Sequence, residues 1–225
     1  MAVIEGGTSA ELAGVGAQAG VALHVQSKPV AVGSLGQYHT SHRTVLVNTQ
    51  AANSRLLEIR NIHASNLLVI HDIRVEWIQT AAHTAAIMDS LDLYKVTSFS
   101  AVDTTNTVTP TMGKRRTSYA TLVDGTDIAI RGCTVAGIAA GMTGGTLTKD
   151  TAPIKQWGQW LLAAVPTGST IIPIVGVFHP GVADGEGPLV LAQNEGFIIE
   201  NRVLLGAAAG SAVTIEVCFS HLAAY

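Results

Sequence analysis

His39-Thr-Ser-His42 has a spacing found among metal ligands. No glutamate accompanies the two histidines and no helical frame surrounds them, so the set is incomplete as a metal site. Asp184-Gly-Glu186-Gly could offer oxygens to a calcium ion, yet two carboxylates are fewer than an EF-hand type of loop supplies. Gly14-Val-Gly16-Ala-Gln-Ala-Gly20 approaches a dinucleotide-binding loop, but its spacing is one residue too long. No convincing strand precedes it and no charged ribose partner follows. A Gly-x-Ser-x-Gly elbow is absent. Paired acids of the glycosidase kind meet in space rather than in sequence, so they stay open, although 16 acids in 225 residues leave few to spare. These residues lead to an expectation of no metal, no cofactor and no catalysis.

Contact chemistry is better represented. Lys114-Arg115-Arg116 is the chain's basic cluster, either a solvated turn or a set of partners for acidic groups on another subunit, a contact that salt would weaken. Trp157 and Trp160 lie three residues apart around Gly158 in KQWGQWLL. With Trp160 facing inward, Trp157 sits half exposed at the strand entrance, where an indole anchors an interface or stacks on a sugar. Trp157, Lys114, Arg115 and Arg116 are therefore the candidate interface residues. Cys133 and Cys218 are too few for a disulfide framework and read as small buried hydrophobes in a reducing cytosol.

Composition points the same way. Charged residues make up 13% of the chain, about half the usual ~25% of soluble domains, and the net charge is -3. That balance excludes the basic stripe of a duplex-binding protein. Mean hydropathy is +0.36. Threonine, abundant over 97–151, wets part of the exterior; the remainder is expected to face another protein chain. No run of 18 apolar residues could span a membrane. The first 27 residues lack a basic n-region and carry Glu5 and Glu11, unlike a signal peptide.

The elements that must position these residues read as β throughout. Residues 1–43 form an extended Gly/Ala-rich arm and a lead-in strand, and 44–225 a single sandwich domain. Period-two runs occupy 44–50 and 56–62. In NLLVIHDIRVEWIQ, His71, Ile73, Val75 and Trp77 alternate with Asp72, Arg74 and Glu76, as in an antiparallel strand with one wet face. His71 there reads as a packed, hydrogen-bonded side chain. AAHTAAIMDSLDLYKV, at 81–96, is the one expected helix. Further strands are expected at 117–123 and 127–135, joined by a hairpin turn at Asp124-Gly-Thr126, with a glycine-rich loop over 136–150. Five more follow at 159–165, 170–178, 187–193, 196–205 and 212–222. Pro173 belongs on an edge or at a bulge. Roughly ten strands at this spacing make an all-β antiparallel sandwich or barrel.

Two stretches carry a resemblance. IIPIVGVFHPG (171–181) with GEGPLVLAQNEGFIIEN (185–201), and KPVAVGSLGQYHTSHRT (28–44), resemble structural proteins of tailed bacteriophages. The similarity is concentrated at these two ends. It implies a jelly-roll-like sandwich in the virion, assembled in the host cytoplasm. It implies a capsid decoration (cement) protein, self-associating as a homotrimer and contacting the major capsid protein, with no direct nucleic-acid or membrane contact. The alternative is a tail, fibre or adaptor subunit that binds a host-surface glycan.

Overall fold

A computed structural model describes residues 35–164, 174–180, 188–207 and 210–223. Among these residues every regular element is a strand: β1 Gln37–Leu46, β2 Arg55–Asn61, β3 Asn66–Ala81, β4 Ile87–Ala101, β5 Thr107–Val108, β6 Met112–Lys114, β7 Ile128–Cys133, β8 Thr146–Lys149, β9 Lys155–Leu161, β10 Ile174–Phe178, β11 Leu189–Leu191, β12 Gly196–Asn201 and β13 Gly210–Ala223. Sheet A runs β6-β1-β13-β3-β10, with β11 beside β10 on β3. Sheet B runs β5-β7-β2-β12-β4, and β4 then pairs with β9 along one half and β8 along the other. Every ladder is antiparallel. The order β1-β13-β3-β10 facing β2-β12-β4-β9 is that of a jelly roll, two Greek keys closed into a sandwich.

Alternation builds the core between the sheets. Ile73, Val75 and Trp77 of β3 meet Val213, Ile215 and Val217 of β13 on one side, and Leu57, Ile59, Leu91, Leu93, Phe197 and Ile199 of sheet B on the other. A smaller cluster of Val96, Phe99 and Ile198 lies on the outer face of sheet B, under Tyr94, Val102 and Leu147. The segment between β4 and β9 provides that cover, and its strands β5, β6 and β7 also seal one flank of the sandwich.

Asn194-Glu195-Gly196 joins β11 to β12, and its sequence follows from its contacts. Asn194 has φ 65°, a left-handed conformation that asparagine tolerates. Its backbone N–H donates to Asn61 O and its carbonyl accepts from Phe99 N–H. A Cβ at Gly196 would run into the Ile59 carbonyl, so only glycine fits.

Four expectations need correction. Residues 81–96 form no helix: 87–96 belong to β4, whose Leu91 and Leu93 are buried between β12 and β9. Helix propensity is a weak preference that sheet burial overrides. Residues 117–123 form no strand, so the turn around Gly125 closes no hairpin. β1 begins at Gln37 and ends at Leu46, well before the expected close at residue 50. His71 leaves the Ile73 face because a bulge opens opposite the Cys218–Phe219 step of β13. Its Nε2 bonds Ser220 Oγ at 2.8 Å. The arm at 1–34, Pro173 and the Asp184–Glu186 loop lie outside the described residues.

Candidate functional site

The two flanks of the sandwich are built differently. On the sealed flank, the inward residues of β1 are polar as well as apolar. Tyr38 Oη donates to Ala120 O at 3.0 Å, Thr40 Oγ1 to Thr111 O at 3.1 Å and Thr44 Oγ1 to Thr134 O at 2.8 Å. His42, between the two threonines, hydrogen-bonds the Cys133 backbone, and burial holds its ring below the ordinary histidine range. One strand face thus zips onto the backbone of the β4–β9 segment. His39 points to the opposite face, because a spacing of three on a strand reverses the side chain. His39 and His42 therefore cannot share a metal. Among the described residues no cluster of three His, Cys, Asp or Glu could hold one.

On the other flank β9 and β10 are sheet edges, each paired on one side only among the described residues. The two tryptophans exchange the roles expected for them. Trp157 is buried, 6% exposed, and packs in the main core. Its indole lies against Gly176 of β10, where a Cβ would collide with the ring, so glycine lets the two edges approach. Trp160 is 63% exposed. It stands directly across from Met88 of β4, itself 58% exposed. Leu162 beyond β9, and Val175 and Val177 on the outer face of β10, are exposed as well. Trp157, Gln159 and Leu161 face in; Gln156, Gly158 and Trp160 face out. Either face offers an indole, so the local pattern does not set the register. Pairing with Leu91 and Leu93 sets it.

No family model, curated protein or solved structure matches the chain.

The basic cluster diverges. Lys114 Nζ donates to Tyr119 O at 3.0 Å and Thr121 Oγ1 at 3.2 Å, clamping its own loop. Arg115 Nη2 reaches Cys218 Sγ at 3.3 Å, and Arg116 lies 6.0 Å from the Tyr119 ring centre. Arg115, His39, Ser41, Glu216 and Cys218 line an open cleft of about 530 Å³ on the outer face of sheet A. Cys133 is buried as expected, whereas Cys218 is only half-buried; both are free thiols. The His71–Ser220 pair beside the cleft has the composition of a nucleophile and its base. Ser220 is fully buried, however, so its hydroxyl meets no substrate and the bond is a packing contact.

Sheet B hides a group of acids that no motif in the residue order marks. Glu58, Asp89, Asp92, Asp103 and Glu200 are all buried. Burial pushes the Glu58 carboxyl up to about 7, assisted by the neighbouring Asp103 charge, and pushes Asp89 up to about 6. Asp89 is partly compensated by the N–H groups of Ser90 and Val203 at 2.7 and 3.0 Å. Alternation in LLEIRNI puts Glu58 on the polar face of its strand; only the distant 102–106 segment buries it.

Proposed function

We propose that this chain is a structural subunit of a bacteriophage virion, a capsid decoration (cement) protein that works through subunit–subunit contacts. The observation carrying the proposal is the open flank. The indole of edge strand β9 and the thioether of its neighbour β4 stand together on the outer face of sheet B, in a chain poor in charge, and apolar surface beside an open edge is a site of association. The jelly roll agrees, since capsid domains use it, although a fold alone assigns no function. The likeness of 28–44, 171–181 and 185–201 to phage structural proteins supports a virion setting. The partner on this flank is a second copy of the chain, in a homotrimer, and the assembled unit adds buried contacts to the major capsid protein by mass action.

Sedimentation and light scattering of the purified chain test this. The expected mass is three times 23.3 kDa, falling to one chain in Trp160→Glu with an unchanged circular dichroism spectrum. A wild-type monomer at tens of micromolar that also fails to bind purified particles overturns it. The exposed indole of Trp160 equally favours a tail or fibre subunit that stacks it on a host sugar. Glycan-array binding abolished by Trp160→Ala, with a monomeric wild type, selects that second reading.

A further inference from the structure

Glu58 of β2 and Asp103 of the β4–β5 connection are both fully buried on the outer face of sheet B. The Asp103 backbone N–H donates to Glu58 Oε1 at 2.6 Å. Asp103 Oδ1 accepts from Gly145 N–H at 2.7 Å and pairs with Arg55 Nη2 at 2.9 Å. The second oxygen of each acid, Glu58 Oε2 and Asp103 Oδ2, is buried without a hydrogen-bond donor among the described residues. Leaving two carboxylate oxygens dry and unpaired is costly, and protonating Glu58 removes one of the two buried charges and gives that side chain a hydrogen to donate.

The surrounding charges leave room for that proton. On its own strand Glu58 faces Arg55, whose Nη1 stands 4.0 Å from Oε2, while Arg60 turns away to Asn194 Oδ1. From β7, Arg131 lies directly across, but its Nη1 is bonded to Asp124 at 2.8 Å. From β12, Ile198 lies opposite, and Glu200 beyond it is paired with Lys149 of β8. Arg55 therefore serves two carboxylates, at 2.9 Å from Asp103 and 4.0 Å from Glu58, and Arg131, spent on Asp124, adds only a field at Glu58. With one proton the trio is neutral; with none it is a buried net negative charge.

We propose that Glu58 carries a proton bonding it to Asp103, and that this proton latches the 102–106 segment and the 143–145 turn onto sheet B. Those two stretches are tied to each other by Thr104 and Thr105 N–H to Thr143 O, at 3.1 and 3.0 Å, and by Thr143 N–H to Thr105 O at 3.2 Å. Beneath them lies the small apolar cluster of Val96, Phe99 and Ile198. Opening the latch lifts Val102 off that cluster and leaves Tyr94 and Leu147 over it, so the device controls part of an apolar surface distinct from the β9–β10 flank.

The direction with pH follows from the raised Glu58 carboxyl, at about 7 against an ordinary 4.5. The latch is fully set below the ordinary value and weakens as pH rises toward 7. With one proton involved, the opening constant grows about tenfold per pH unit between about 5 and 7, then levels off.

Amide hydrogen exchange of the full chain at Asp103, Thr104, Thr105, Thr143 and Gly145, corrected for intrinsic rates over pH 5–9, reads this directly. Protection should fall about tenfold per unit up to about pH 7 in the wild type. It should stay level in Glu58→Gln, whose amide oxygen still accepts from Asp103 and whose NH₂ donates permanently. Level protection in the wild type, or an unchanged slope in Glu58→Gln, overturns the proposal. Carboxyl carbon NMR of the wild type stands independent of any variant's folding: Glu58 titrating near pH 7 supports the latch, and Glu58 already ionised at pH 5 overturns it.

Discussion

The sealed flank and the open flank solve the same problem in opposite ways. Both are ends of a two-sheet sandwich, where strands run out of partners. At β1 and β2 the chain adds its own strands, β6 and β7, and ties the seam with hydroxyls from Tyr38, Thr40 and Thr44. At β9 and β10 nothing is added among the described residues; Trp157 plugs the seam from inside and Trp160 with Met88 is left outside. A seam closed by hydrogen bonds to fixed carbonyls is directional and finished. A seam closed by an indole, with more apolar surface beyond, is stable yet still able to take a partner.

Substitutions can break this contrast. Trp157→Ala should have the largest effect, costing about 3–5 kcal/mol in urea denaturation, because the cavity lies between two edges that the indole joins. Thr44→Val on the sealed flank should cost about 1–3 kcal/mol, since it strips the Thr134 carbonyl of its donor while preserving shape. If the two costs came out reversed, the polar zipper and not the indole would be the stronger seam. Trp160→Ala should change the stability of the dilute subunit by less than about 0.5 kcal/mol, its cost appearing only in association.

A pH series sharpens the comparison further. His221, packed edge-on to Tyr38 at the sealed flank, is held down to about 4 by burial, with the adjacent His63 charge contributing. A lowered histidine stabilises the fold above its ordinary 6.5 and loses that contribution as pH falls toward 4. The midpoint of thermal unfolding should therefore drop across that window, and His221→Phe should flatten the drop. Asp89 and Glu58 act in the reverse sense, losing stability as pH rises through about 6 and 7.

Much of the fold was legible in residue order, and most of the functional surface was not. The alternation in IRVEWIQ, the Asn194-Glu195-Gly196 turn and the apolar final strand all lie where period and turn chemistry put them. The region of 81–96 misled, because Ala, Met and Leu suit a helix as well as a buried strand. His71 misled because a bulge leaves no mark in an alternating pattern. Trp157 and Trp160 were exchanged because QWGQWLL offers an apolar residue on each face, and the burial of Glu58 depends on a segment 45 residues away.

Sequence alone determined that this chain is an antiparallel all-β sandwich or barrel with few charges, since side-chain period and composition are properties of short windows. Tertiary structure decided which indole is core, which flank is open and which carboxylates are dry. Those outcomes depend on what a distant strand lays against each face, and no local pattern carries that information.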